Sequence, residues 1–174
     1  VRSTAAMAGM PPFVKPRYIG YLPAFPRVFA YTARYFPKAL SLLVRGTFGL
    51  VVESRNEILF NNLFSGAECD RELVASPEVR ELFLKDFRLS FEQGTASYEQ
   101  DAILAATDWS AWLEKRAPER MTFIHGMEDP VTPIELVRKV AEAQSEIKLV
   151  AIENAGHLVF YNEPDRVVAT IAEL

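Results

Sequence analysis

An internal disulfide is excluded from the start, because the 174 residues contain one cysteine, Cys69. That argues against a disulfide-stapled secreted scaffold and makes a reducing cytoplasm the expected compartment. Positive charge is also in short supply: 19 Lys and Arg stand against 23 Asp and Glu, a net charge of −4. With no basic excess to grip phosphate backbones, no nucleic-acid partner is expected. Two histidines and one cysteine show no metal-ligand spacing, and eight scattered glycines form no phosphate-cradling loop. No metal and no cofactor are therefore expected. Long apolar runs are missing too. The richest stretch, Val28 to Val52, is interrupted by Arg34, Pro37, Lys38 and Arg45, so no membrane span and no membrane partner are expected. Val1-Arg2-Ser3-Thr4 lacks a signal-peptide layout and a starting Met, which suggests a processed or truncated chain. No internal repeat is visible.

What remains is a globular composition, 49% apolar and 24% charged, at a length suited to one domain. Three zones follow one another. Residues 9 to 37 alternate proline with aromatics (Pro11, Pro12, Phe13, Pro16, Tyr18, Tyr21, Pro23, Phe25, Pro26, Phe29, Pro37), which predicts short helices and loops pinned by aromatic burial. Residues 37 to 108 read as all-α. Ser76-Pro77 marks a helix start, Val79, Leu82, Phe83 and Phe87 recur at helical spacing, and Gly94 is placed to end the helix. Ser97 with Gln100 predicts a capping box opening a helix to Thr107.

The last zone changes period. Met121 to Ile124 and Ile147 to Ile152 read as buried strands, separated by a helix with Ile134, Val137, Val140 and Ala141 on one face. Thr132, Pro133 and Glu135 predict a capping box at its start. A final amphipathic helix from Pro164 is expected to turn Val167, Val168 and Ile171 inward. Strand, helix and strand within about thirty residues make a parallel βαβ unit with a right-handed crossover. Functional groups gather beyond the carboxyl ends of such strands. Asp129 follows the first strand and His157 the second, so the two can meet across the sheet end. A carboxylate bonded to one imidazole nitrogen fixes the tautomer and leaves the other nitrogen as a general base. Asp129 before Pro130 also suits an Asx turn. His125 is expected to be structural, Glu128 to point elsewhere, and Cys69 to be an ordinary side chain.

The stretch His125-Gly126-Met127-Glu128-Asp129-Pro130-Val131-Thr132-Pro133, then Ala155-Gly156-His157 and Glu163-Pro164, resembles the C-terminal region of the α/β-hydrolase superfamily. The likeness is strongest over residues 109 to 174, including Trp109, Trp112 and Leu113. It implies an α/β fold made of the last parallel strands plus a mainly helical cap. Residues 1–10 would be the end of a core strand leading into the cap, 11–108 the cap, and 109–174 the C-terminal core segment. It also implies that Asp129 is the triad acid and His157 the triad base.

The family's nucleophile sits on a Gly-x-Ser-x-Gly elbow before the cap. No such pattern occurs in this chain, and neither Ser3 nor Ser65 stands on an elbow. The expectation is the C-terminal portion of a hydrolase acting on small apolar esters, amides or related carbonyl compounds, inactive by itself. The intact protein's nucleophile would be Ser, or Asp as in dehalogenase and epoxide-hydrolase relatives. The alternative is a non-enzymatic sensor whose hydrolase-like pocket binds a ligand for an attached regulatory domain. Three strands from the end of a larger sheet would leave an open edge, so a partner is expected to cover it: the N-terminal half or a second copy.

Overall fold

A computed structural model of the chain describes residues 3–13, 15–46, 66–111 and 120–174. Trp112, Leu113, Ser65 and the stretch 47–64 of the expected cap lie outside the described residues.

Three strands form one parallel sheet in the order β1 (Ser3–Met7), β2 (Arg120–Gly126) and β3 (Ile147–Ile152). Ala6 lies opposite Phe123, and Phe123 opposite Leu149. Because side chains alternate across a strand, these three face one layer while Met7, Ile124 and Val150 face the other. On the Phe123 side, helix α6 (Ile134–Ala143) buries Leu136, Val137 and Val140 together with Phe13, Tyr18, Ile19 and Leu22. On the Ile124 side lie the short helix α7 (Val159–Asn162), through Val159, and α8 (Pro164–Ala172), through Val167. Both faces of the sheet are thus covered, as parallel sheets require. The crossover from β2 through α6 to β3 is the βαβ unit read from the sequence.

The helical segment comprises a 3-10 helix (Pro16–Tyr21), α1 (Ala24–Tyr35), α2 (Pro37–Val44), α3 (Glu68–Ala75), α4 (Pro77–Phe91) and α5 (Ala96–Ala105). Its own core gathers Phe29, Ala33, Leu40, Val44 and Ala106. Arg34 ties two ends of the segment together, Nη1 donating to the carbonyls of Ala106 at 3.0 Å and Phe13 at 3.4 Å. Helix α1 is longer than the proline-rich sequence suggests. Pro26 is its third residue, where a backbone N–H has no intrahelical acceptor to lose, so the proline costs no hydrogen bond.

Five local expectations are corrected. Thr132 does not cap α6: the N-cap is Pro133, without a side-chain bond, because Asp129 supplies the turn before it. Helix α5 starts two residues earlier than Ser97 implies, after Thr95, whose Oγ1 donates to Glu99 Oε1 at 2.7 Å. Ser76 is the N-cap of α4 but its side chain makes no capping bond, while Pro77 takes the first helical position as expected. In α8 only Val167 is buried; Val168 and Ile171 are 56% and 41% exposed. Leu82 likewise faces outward on α4, at 57% exposure.

The two edges of the sheet differ in character. Edge strand β3 carries Lys148, a charge of the kind that protects open edges. Edge strand β1 reads Ser-Thr-Ala-Ala-Met, with no charge and no proline, and its Met7 is exposed. Among the described residues no helix is long and apolar enough to cross a membrane.

Candidate active site

Parallel strands deliver their following loops to one end of the sheet, and here that end is stitched shut. Met127 N–H donates to the Ile152 carbonyl and Glu128 N–H to the Ala155 carbonyl, both at 2.9 Å. Gly126 has to be glycine because a Cβ there would run into the Gly156 carbonyl oxygen. Asn154, of a type enriched among non-glycine residues in left-handed backbone, turns the loop after β3 at φ 57°.

Asp129 and His157 meet on this stitched end, although 28 positions separate them: His157 Nδ1 lies 3.0 Å from Asp129 Oδ2. A carboxylate that stays ionised only accepts, so Nδ1 carries the proton and Nε2 keeps a free lone pair. The Asp129 carboxylate is completely buried whereas the imidazole is 29% exposed, so the carboxylate is shielded and the imidazole is reachable. Asp129 also makes the Asx turn. Its other oxygen, Oδ1, accepts from Val131 N–H at 2.8 Å and Thr132 N–H at 2.9 Å. Asp129 therefore makes both contacts, one with each oxygen, and the turn aims Oδ2 at the imidazole.

His125 is more deeply involved than the sequence suggests. It is fully buried, with Nε2 at 2.6 Å from the Thr132 carbonyl and 3.1 Å from Asp129 Oδ2. A carbonyl only accepts, so Nε2 carries the proton and shares it between the two oxygens. Burial pushes the Asp129 carboxyl up, but bonds from His125 and His157 outweigh it and hold the group below its ordinary value of 3.8. For His157, burial lowers the pKa; the bond and charge of Asp129, with the charge of Asp70, overcome this and raise it above 6.5. Asp129 thus stays ionised where the imidazole takes up a proton.

Asp70, on α3, carries no signal in the sequence. It is fully buried, and Oδ2 accepts from His157 N–H at 2.8 Å. Its neighbour Cys69 is held as a neutral thiol: burial and the Asp70 charge raise its pKa, so it is a poor nucleophile. Ser3 begins β1 at the opposite end of the sheet, its Oγ donating to the Leu174 carbonyl. Glu128 is exposed, as expected. Among the described residues no group of three or more His, Cys, Asp or Glu side chains is arranged to hold a metal ion.

Beside the acid loop lies a cavity of about 360 Å³, lined by Phe13, Phe25, Phe29, Phe87, Tyr98 and Val131, among others. Val131 comes two residues after Asp129, so the cavity and the Asp129–His157 pair share one loop.

An acid and a histidine on consecutive parallel-strand loops, with helices inserted between β1 and β2, define an α/β-hydrolase arrangement. The model of the alpha/beta hydrolase family matches residues 2–170, and the chain belongs to that family. No curated protein matches the sequence. Among solved structures, Rv0554 from Mycobacterium tuberculosis is similar at TM-score 0.52 and 20% identity, over 99% of this chain and 56% of that one. A thermophilic esterase from Thermogutta terrifontis gives 0.47 and 19%, over 99% and 54%. MGS-M2, an alpha/beta hydrolase enzyme from a Medee basin deep-sea metagenome library, gives 0.45 and 15%, over 98% and 54%. At such identities the likeness concerns the fold alone. The chain spans about half the length of these solved structures.

Proposed function

We propose that this chain carries the acid and base of a serine-type hydrolase acting on small, largely apolar esters or amides, its nucleophile lying outside these 174 residues. The observation that carries the reading is the 3.0 Å contact between His157 Nδ1 and Asp129 at the end of two neighbouring parallel strands. In this reading His157 Nε2 takes the proton of a serine hydroxyl as its oxygen bonds to the substrate carbonyl carbon. It returns that proton to the departing alcohol or amine, and repeats the cycle with water. Asp129 fixes the tautomer and stabilises the imidazolium without taking the proton, in keeping with its lowered pKa.

The helices between β1 and β2 serve as the cap in this proposal. Their apolar cavity takes the body of the substrate, and Val131 brings its wall to the acid loop. The half that carries the nucleophile adds its strands along the uncharged edge of β1, a second copy being the other occupant of that edge. With its single unpaired cysteine, the protein belongs in the reducing cytoplasm on this account.

The test is hydrolysis of a short-chain chromogenic ester by the 174-residue chain and by a form extended at its N-terminus. The chain alone is expected to give background turnover. The extended form should hydrolyse the ester and lose about 10⁴-fold in kcat on Asp129→Asn and about 10⁶-fold on His157→Ala. Turnover by the chain alone that vanishes with His157→Ala would remove the need for a second half. Extended protein that binds apolar esters without hydrolysing them would favour the sensor reading.

A further inference from the structure

The His157 backbone is held from outside its own layer. Asp70 is reached from 87 residues earlier in the chain, yet its carboxylate is the acceptor for the whole turn that carries His157. Oδ2 accepts from His157 N–H at 2.8 Å. Oδ1 accepts from Leu158 N–H at 3.2 Å and from Asn162 Nδ2 at 2.7 Å. The carboxylate has no solvent exposure, so these donors are what compensates its burial.

Two glycines record the same docking. A Cβ on Gly156 would collide with the Asp70 carboxylate, which gives the Ala155-Gly156-His157 tripeptide a physical reason for its glycine. A Cβ on Gly66, just before α3, would collide with the Pro130 ring on the acid loop. The start of α3 therefore seats on both loops at once, Gly66 against Pro130 beside Asp129 and Asp70 against the turn of His157.

We infer that Asp70 is the positioning residue of this site, an anchor on the helical segment that sets the backbone of the general base. It touches no substrate and acts through His157. Asp129 orients the imidazole from the ring side while Asp70 fixes the amide from the backbone side. The base is in its working place only while α3 is docked, so displacement of the helical segment releases the base along with the cavity wall. The charged groups facing His157 are Asp129 from the loop after β2 and Asp70 from α3, and both favour the imidazolium.

This inference rests on His157 being the general base, but its test uses no turnover and so stands or falls separately from the hydrolase reading. The chain has two histidines, so both imidazoles can be followed by NMR through a pH titration. Asp70→Asn, nearly isosteric, is expected to lower the His157 midpoint by about half a unit or more and to speed His157 amide exchange about tenfold. The wild-type chain provides a second arm that survives a variant failing to fold. Its His157 and Leu158 amides should be protected although they lie in a turn, and should open together with α3 rather than with β3. A His157 midpoint within a tenth of a unit of wild type in folded Asp70→Asn would overturn the assignment. Loop-rate exchange of both amides in wild type would overturn it as well.

Discussion

The sheet layer and the helical segment solve the problem of burial in opposite ways. Helix α6 lays Ile134, Leu136, Val137 and Val140 fully inside, against a sheet covered on both faces. Helices α4 and α5 bury no side chain completely, and the segment leaves Val28, Phe36, Leu42, Leu82 and Leu89 more than half exposed. Dense apolar packing secures the first. The second hangs on a small aromatic and aliphatic core and on polar anchors such as Arg34 and Asp70. In the proposed reading, the site draws one side from the densely packed sheet layer and the other from the loosely packed helices.

The sharpest break of that contrast is Leu136→Ala. It leaves a cavity between α6 and the sheet, and the expected loss is about 3 kcal/mol, seen as a fall of several degrees in Tm. A loss below about 1 kcal/mol would mean the sheet layer is no better packed than the helices.

Acid tests the polar tie between the loops that follow β2 and β3. Asp129 has a lowered pKa, so its contribution is full above 3.8 and is lost as pH falls toward the folded value. His157 has a raised one, so its contribution is full below 6.5 and fades as pH rises through the folded value. Denaturation midpoints measured across pH should therefore fall on both limbs in wild type and flatten in Asp129→Asn. Parallel wild-type and variant profiles would show that the pair contributes nothing to stability.

At the small end, Leu82→Ala on the exposed face of α4 should stay within about 0.5 kcal/mol of wild type. A larger loss would show that something covers that face.

How much of this was legible in the sequence follows the range of the interactions. The βαβ unit was readable because Met121–Ile124 and Ile147–Ile152 are short apolar runs flanking an apolar helical face, a signal carried by neighbours. The meeting of Asp129 and His157 followed from topology, since parallel strands send their loops to one end. Asp70 was hidden because an acid inside Glu-Cys-Asp-Arg looks like any solvated helix residue. Its donors arrive from 87 to 92 positions away. The outward turn of Val168 and Ile171 is not legible, because helical spacing defines a face but not what that face meets. The Thr132 cap failed since Asp129 already satisfies the Val131 and Thr132 amides.

The central claim is that His157, oriented by Asp129, is the base of a hydrolase, and one comparison of rates addresses it directly. Hydrolysis of a chromogenic short-chain ester by the N-terminally extended protein should fall about 10⁶-fold on His157→Ala. Undiminished turnover in that variant, with the fold intact, would contradict the account.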